Sequence, residues 1–169
     1  MAFYRVKQFI WGFTSLFKEI DYAYISKFLD ENEIDIFNKL KHSDKHHCIR
    51  VCKDSINMRN ELNIDVDMYK LGRAALLHDV GKSAKHLSLV EKSTIVLLDR
   101  FTKGTIKKYD NIKQINIYYN HPKIGTDILK NNGLGNDKEL LEVVRYHHNK
   151  KLDIDNKYLR IIKICDDKN

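Results

Sequence analysis

Apolar residues recur along this chain at helical spacing, and few stretches alternate as a half-buried strand would. Phe3, Val6, Ile10, Phe13 and Phe17 share one face of an amphipathic first segment. Further helices are expected near residues 20–29 and 32–40. The stretch 41–64 opens with Ser43 and Asp44 as possible N-caps and carries His47, Val51, Met58 and Leu62 along one face. In DMYKLGRAALLHD, Leu71, Ala75 and His78 stand at i, i+4 and i+7, and Gly81 marks the end of that helix. LVEKSTIVLLDRF reads as a helix, although its β-branched centre also fits a strand. HPKIGTDILKNNGLG puts Pro122 at a first helical position and Asn132-Gly133 at the end, which sets His121 at a helix mouth. Leu140, Val143, Val144 and His147 then share a face, as do Leu159, Ile162 and Asp166.

One proline and seven glycines suit long regular elements, and neither repeat nor linker interrupts the pattern. The expected fold is all-α: one compact helical bundle over residues 1–169, with the N-terminal helices of 1–40 packed on the rest. A chain of 169 residues is long enough to bury a sizeable core. The uncharged run from Gln8 to Phe17 is far shorter than the ~20 residues that span a bilayer. It has no small-residue cleavage site after it. A helix packed on its own domain is expected there, with a membrane-surface anchor through Trp11 as the alternative.

Charge and cysteines narrow the setting. The formal net charge of +7 favours anionic partners. The lysines are spread along the chain rather than gathered in a stripe, so a stable nucleic-acid complex is not expected, whereas a nucleotide-sized anion fits. Cys48, Cys52 and Cys165 are an odd set with no disulfide framework, as suits a reducing cytoplasm. Abundant Lys, Asn and Ile would suit an AT-rich bacterial genome.

Four polar residues break the apolar faces. His47, His78, His147 and Asp166 each stand where the helical pattern points inward. A lone histidine there is most often a satisfied core residue, but a bare buried carboxylate costs several kcal/mol unless paired or coordinated. With Asp79 and His121 beside them, the economical explanation is a cation bound in the middle of the bundle. Mixed imidazole and carboxylate donors suit Fe, Mn, Zn, Co or Ni better than Mg or Ca alone.

The ordered set His47, His78-Asp79, "HPKIG" at His121, "YHHN" at His147–His148 and Asp166 resembles the HD-domain metal-dependent phosphohydrolase superfamily. It is similar in particular to the subgroup with a binuclear centre that includes the HD-GYP phosphodiesterases. The resemblance covers residues 41–167, which would be the HD-domain core. It implies that His47, His78, Asp79 and Asp166 bind a first divalent transition metal ion. Asp79 would bridge to a second ion held by His121 and His147. Lys82 would contact substrate phosphate, and Asp79 and Lys82 would form the catalytic pair. His148 matches a third-metal ligand of HD-GYP enzymes, but Ser43 stands where their helper carboxylate would be. No third ion is therefore expected, and His148 would back the ligands or face substrate. After "HHN" the chain runs KKLDIDNKY without a Gly-Tyr-Pro motif, so hydrolysis of cyclic di-GMP is not implied. Asp166 lies in a short helix whose ordering metal binding would aid.

Two cations about 3.5–4 Å apart can activate water at neutral pH for in-line attack on a phosphate ester. The expected activity is hydrolysis of a nucleotide or another small phosphorylated substrate in the cytoplasm, without membrane association. The alternative is a catalytically weak module that binds a nucleotide as a regulator. His42, His46 and His86 are expected at the surface or pocket rim, and Cys48 and Cys52 in the core rather than in a zinc site. Tyr118 and Tyr119 fit packing at least as well as base stacking.

Overall fold

The structure, a computed structural model, describes residues 18–149 and 155–169. The amphipathic face expected over residues 3–17 lies outside the described residues. Within them the fold is all-α, without a strand. Its helices are α1 (Tyr22–Ile25), α2 (Glu31–Asn38), α3 (His42–Glu61), α4 (Met68–Leu77), α5 (Leu89–Phe101), α6 (Lys113–Leu129), α7 (Lys138–Tyr146) and α8 (Lys157–Asp166). No helix among the described residues is long and apolar enough to cross a membrane.

Most starts follow from capping chemistry. Asp21, Asp67, Asp137 and Asn156 accept backbone N–H groups at the heads of α1, α4, α7 and α8. Asp30 with Glu33, and Ser88 with Glu91, close reciprocal capping boxes at α2 and α5. The Ser88 box gives α5 a helical start, which resolves the helix-or-strand ambiguity of that stretch.

Three local expectations are corrected. The helix expected over 20–29 shrinks to Tyr22–Ile25, because Asp30 already caps α2 and the chain must turn before it. Ser43 and Asp44 are not caps: α3 begins at His42 behind Lys41, which makes no side-chain capping bond. There the rings of His42 and His46 donate to the Lys18 carbonyl and fix the start. Gly81 does not end α4, which stops at Leu77; it lies in a 3₁₀ turn, Val80–Ala84. A Cβ on Gly81 would collide with the His121 carbonyl and sit 2.6 Å from the Gly125 nitrogen. Glycine is needed there for a close approach of two backbones.

Helices α3 and α4 pack together at the centre, α8 lies along α3, and α6 backs the Val80–Ala84 turn. Ile36, Phe37, Val51, Leu71, Leu76, Leu77, Leu129 and Ile162 fill the space between them. Arg73 of α4 pairs with the buried Glu33 of α2 and with the α7 cap Asp137, tying three elements together. The end of α8 is held by Asn169, whose amide donates to Asp54 of α3 and to the Cys165 carbonyl.

Candidate metal centre

Three helices end at one spot. His78 closes α4 and leads into Asp79, His147 closes α7, and Asp166 is the last residue of α8. The carbonyl end of a helix carries partial negative charge, so this convergence favours a cation. His47 reaches in from the second turn of α3 and His121 from the middle of α6.

Pro122 is inside α6 rather than at its first position, so His121 is not at a helix mouth. Proline removes the amide that would bond four residues back, to Tyr118. The His121 ring takes up that carbonyl: its Nδ1 donates to Tyr118 and to Ile117, at 3.1 Å each. The same device serves the other two buried rings. His78 Nδ1 donates to the Ala75 carbonyl at 2.8 Å and His147 Nδ1 to Val144 at 2.9 Å. Ala75 and Val144 lie in last turns, where carbonyls lack helical partners. With Nδ1 engaged by a carbonyl, Nε2 is the ring atom that each histidine turns to the centre.

The donor atoms fall into two groups around one carboxylate. Asp79 Oδ2 stands 3.5 Å from His47 Nε2 and 3.4 Å from His78 Nε2. Asp166 Oδ1 completes that side, 3.0 Å from His47 Nε2 and 3.7 Å from His78 Nε2. Asp79 Oδ1 points the other way, 3.3 Å from His121 Nε2 and 3.6 Å from His147 Nε2. Lys82, one turn on, pairs its ammonium with Asp79 Oδ2.

Electrostatics fit a cation. Burial alone would raise the Asp79 carboxyl, yet the charges of Lys82 and His78 hold it well below the usual range. Burial likewise works against Asp166, which the neighbouring rings of His47 and His78 hold far below that range. Burial would lower His78, but the charge of Asp79 keeps it well above its ordinary value. His121, dominated by burial, falls to about 4. The buried atoms His78 Nε2, His121 Nε2, His147 Nε2 and Asp79 Oδ1 have no hydrogen-bond partner. Unpartnered buried donors of this kind are costly unless something coordinates them, and their nitrogen–oxygen chemistry fits a divalent transition metal.

The structure therefore brings together His47, His78, Asp79, His121, His147 and Asp166, with Lys82 against Asp79. His148 joins them more closely than its sequence reading allowed. Its ring is half-exposed, yet it shares with Asp79, His121 and His147 a set of donor atoms within 4.8 Å of one another. His47, His78 and Asp166 form a second such set, and Cys48 comes within the same reach of His78 and Asp79. Cys48 reads from sequence as plain core; its place next to His47 was the available signal. Asp44, read as a cap, instead lends its negative charge to Lys82. His42, His46 and His86 stay away from the centre and bond backbone carbonyls of Lys18 and Lys39.

Compared with protein families, the chain matches the HD domain over residues 45–168. The chain belongs to the HD domain family. Every residue of the cluster falls inside the matched span of this HD domain, and the family is in general one of metal-dependent phosphohydrolases. Neither the curated proteins nor the solved structures hold a match to the chain.

Proposed function

We propose that this HD domain is a metal-dependent phosphohydrolase of the binuclear type that lacks the Gly-Tyr-Pro motif. Its substrate would be a phosphate ester, either a nucleotide or a related small phosphomonoester or phosphodiester. The observation that carries this reading is the Asp79 carboxylate, with one oxygen turned to His47 and His78 and the other to His121 and His147. His47, His78, Asp79 and Asp166 would hold one divalent ion. Asp79, His121 and His147 would hold a second, with His148 in reach. Fe, Mn, Co, Ni or Zn suits these donors. Ions of that kind supply water activation at neutral pH and neutralise phosphoryl charge.

The chain's own groups do the rest. Lys82 pairs with Asp79 and is held above the ordinary lysine value, because the charges of Asp79, Asp44 and Asp166 outweigh its burial. It stays charged at any working pH and can turn from Asp79 to a phosphoryl oxygen. There it would orient the ester and offset the charge that builds during displacement. The buried rings of His78 and His147 keep bulk water from the inner side. His148, half-exposed, faces the side from which substrate would arrive. A thiol nucleophile is not called for: burial pushes Cys48 up and Cys52 up to about 12, so both stay protonated.

Elemental analysis of protein purified without chelator, followed by hydrolysis assays, tests the reading. The assays would use p-nitrophenyl phosphate, bis-p-nitrophenyl phosphate and a nucleotide panel. Two transition-metal ions per chain and turnover of at least one ester are expected. Bound metal with no turnover on any ester would favour a nucleotide-binding module, and no metal after reconstitution would sink the proposal.

A further inference from the structure

The first turn of α5 is clamped between the two helices that supply His47 and His121. Lys41, at the head of α3, donates through Nζ to the Leu87 carbonyl at 3.1 Å, and the His86 ring bonds the Lys39 carbonyl at 2.9 Å. These bonds pin the start of α5 to the start of α3, where Asp44 and His47 stand. On the other side Gln114 donates to Glu91 at 3.2 Å and the Tyr119 hydroxyl donates to Asp99, which ties α5 to α6, the helix of His121.

Lys92 stands on the inner face of that turn. Ile95 is buried and Asp99 bonds Tyr119 of α6, so Lys92, Ile95 and Asp99 share one side at i, i+3 and i+7. The side chain of Lys92 keeps exposed surface, so a ligand can reach it. Its charge is nonetheless felt at the centre: Asp44, Asp79 and Asp166 attract it, the same three carboxylates that act on Lys82. The strongest influence on Lys92 is repulsion from Lys82, which lowers it from its ordinary value. Lys82 already pairs with Asp79, whereas Lys92 forms no ion pair among the described residues. Two neighbouring ammonium groups repel each other, and an anion that meets both relieves the repulsion.

We propose that Lys92 is a substrate-binding residue of this centre and that it selects a ligand with two adjacent phosphoryl groups. One group would lie at the centre with Lys82, and its neighbour would meet Lys92 on the outer side. A lone phosphate is answered by the centre and Lys82; only a second phosphoryl group puts negative charge where Lys92 stands. The inference rests on the phosphohydrolase reading and narrows it, from phosphate esters at large to a nucleoside diphosphate or another diphosphate.

Calorimetric titration of the metal-loaded chain with ligands that cannot be hydrolysed tests it. Orthophosphate supplies one phosphoryl group, methylenediphosphonate two, and α,β-methylene-ADP two on a nucleoside. Wild-type protein should bind methylenediphosphonate more tightly than orthophosphate. Lys92→Gln should weaken methylenediphosphonate about tenfold, the worth of one charged contact, and orthophosphate far less. Lys92→Arg should keep the wild-type difference. A residue that only supports the fold would weaken both ligands together, so an equal loss, or no loss for methylenediphosphonate, would overturn the proposal. Tight binding of α,β-methylene-ADP would identify the source as a nucleotide, and binding of methylenediphosphonate alone would identify a bare diphosphate. Ester turnover without a Lys92-dependent difference would sink this inference and leave the hydrolase reading intact. A Lys92-dependent difference without turnover of any ester would keep the diphosphate site and sink the hydrolase reading.

Discussion

Pro122 leaves the carbonyl of Tyr118 without its helical amide, and the His121 ring bonds there instead, at 3.1 Å. A residue that breaks α6 locally is what aims a donor nitrogen at the centre. Pro122→Ala restores the competing amide. A proline inside a helix costs about 3 kcal/mol relative to alanine, so the thermal midpoint should rise. Metal affinity should fall about 10–100-fold, as when a supporting partner of a ligating histidine is lost. Calorimetry and metal titration on one preparation would check the opposite signs.

Asp79→Asn should empty both halves of the centre, because each relies on one of its oxygens. Metal content should fall below one ion per chain and hydrolysis should vanish. Wild-type protein should gain about 2.7 kcal/mol from metal at a hundredfold excess over Kd, and lose it to chelator. The variant should gain nothing. A melt with and without metal distinguishes the two chains.

Lys82→Ala should leave the metal count unchanged, since its ammonium only pairs with Asp79 Oδ2. Turnover should drop on the order of 10²–10³, the usual effect of losing one group that meets developing charge. Elemental analysis beside kcat would show whether Lys82 acts on substrate; loss of metal would assign it to the ligand set.

Gly81→Ala brings a Cβ against two backbones, at the His121 carbonyl and 2.6 Å from the Gly125 nitrogen. Neither can move alone. Overpacking of this kind costs about 1–3 kcal/mol, and a displaced α6 carries His121 with it. Denaturant unfolding should show the loss without added metal, and metal titration should show weaker binding.

Arg73→Met removes the partner of Glu33, whose side chain is 1% exposed. Leaving a buried carboxylate uncompensated costs about 3–5 kcal/mol. Adding Glu33→Met should recover much of it, and urea midpoints of the single and double variants measure the difference.

Local signals account for what was legible in the sequence. The helical stripes of Leu71, Ala75 and His78 and of Leu140, Val144 and His147 depend only on period, and they survive into the fold. Asp79 and the histidines stood out because an apolar face rarely tolerates them. His121 was expected at a helix mouth and reaches the cluster by another device: proline at a helix start is the commoner use, and nothing local tells an interior proline from an initial one. Gly81 failed for a similar reason, since its need is set by a backbone distant in sequence. The pairing of Arg73 with Glu33 and Asp137 had no local trace, because each residue looks like ordinary surface charge on its own helix. His148 beside His147 was visible, but how far its ring swings toward Asp79 depends on how α7 ends.

The centre joins His47, near the start of α3, to Asp166, at the end of α8, across most of the described sequence. A cation held by both would turn an open thread into a ring. Loop-closure entropy, which grows with the logarithm of the enclosed length, would then be withdrawn from the unfolded chain. Loading would act as a clasp, so resistance to proteolysis and to heat would report occupancy as directly as turnover does.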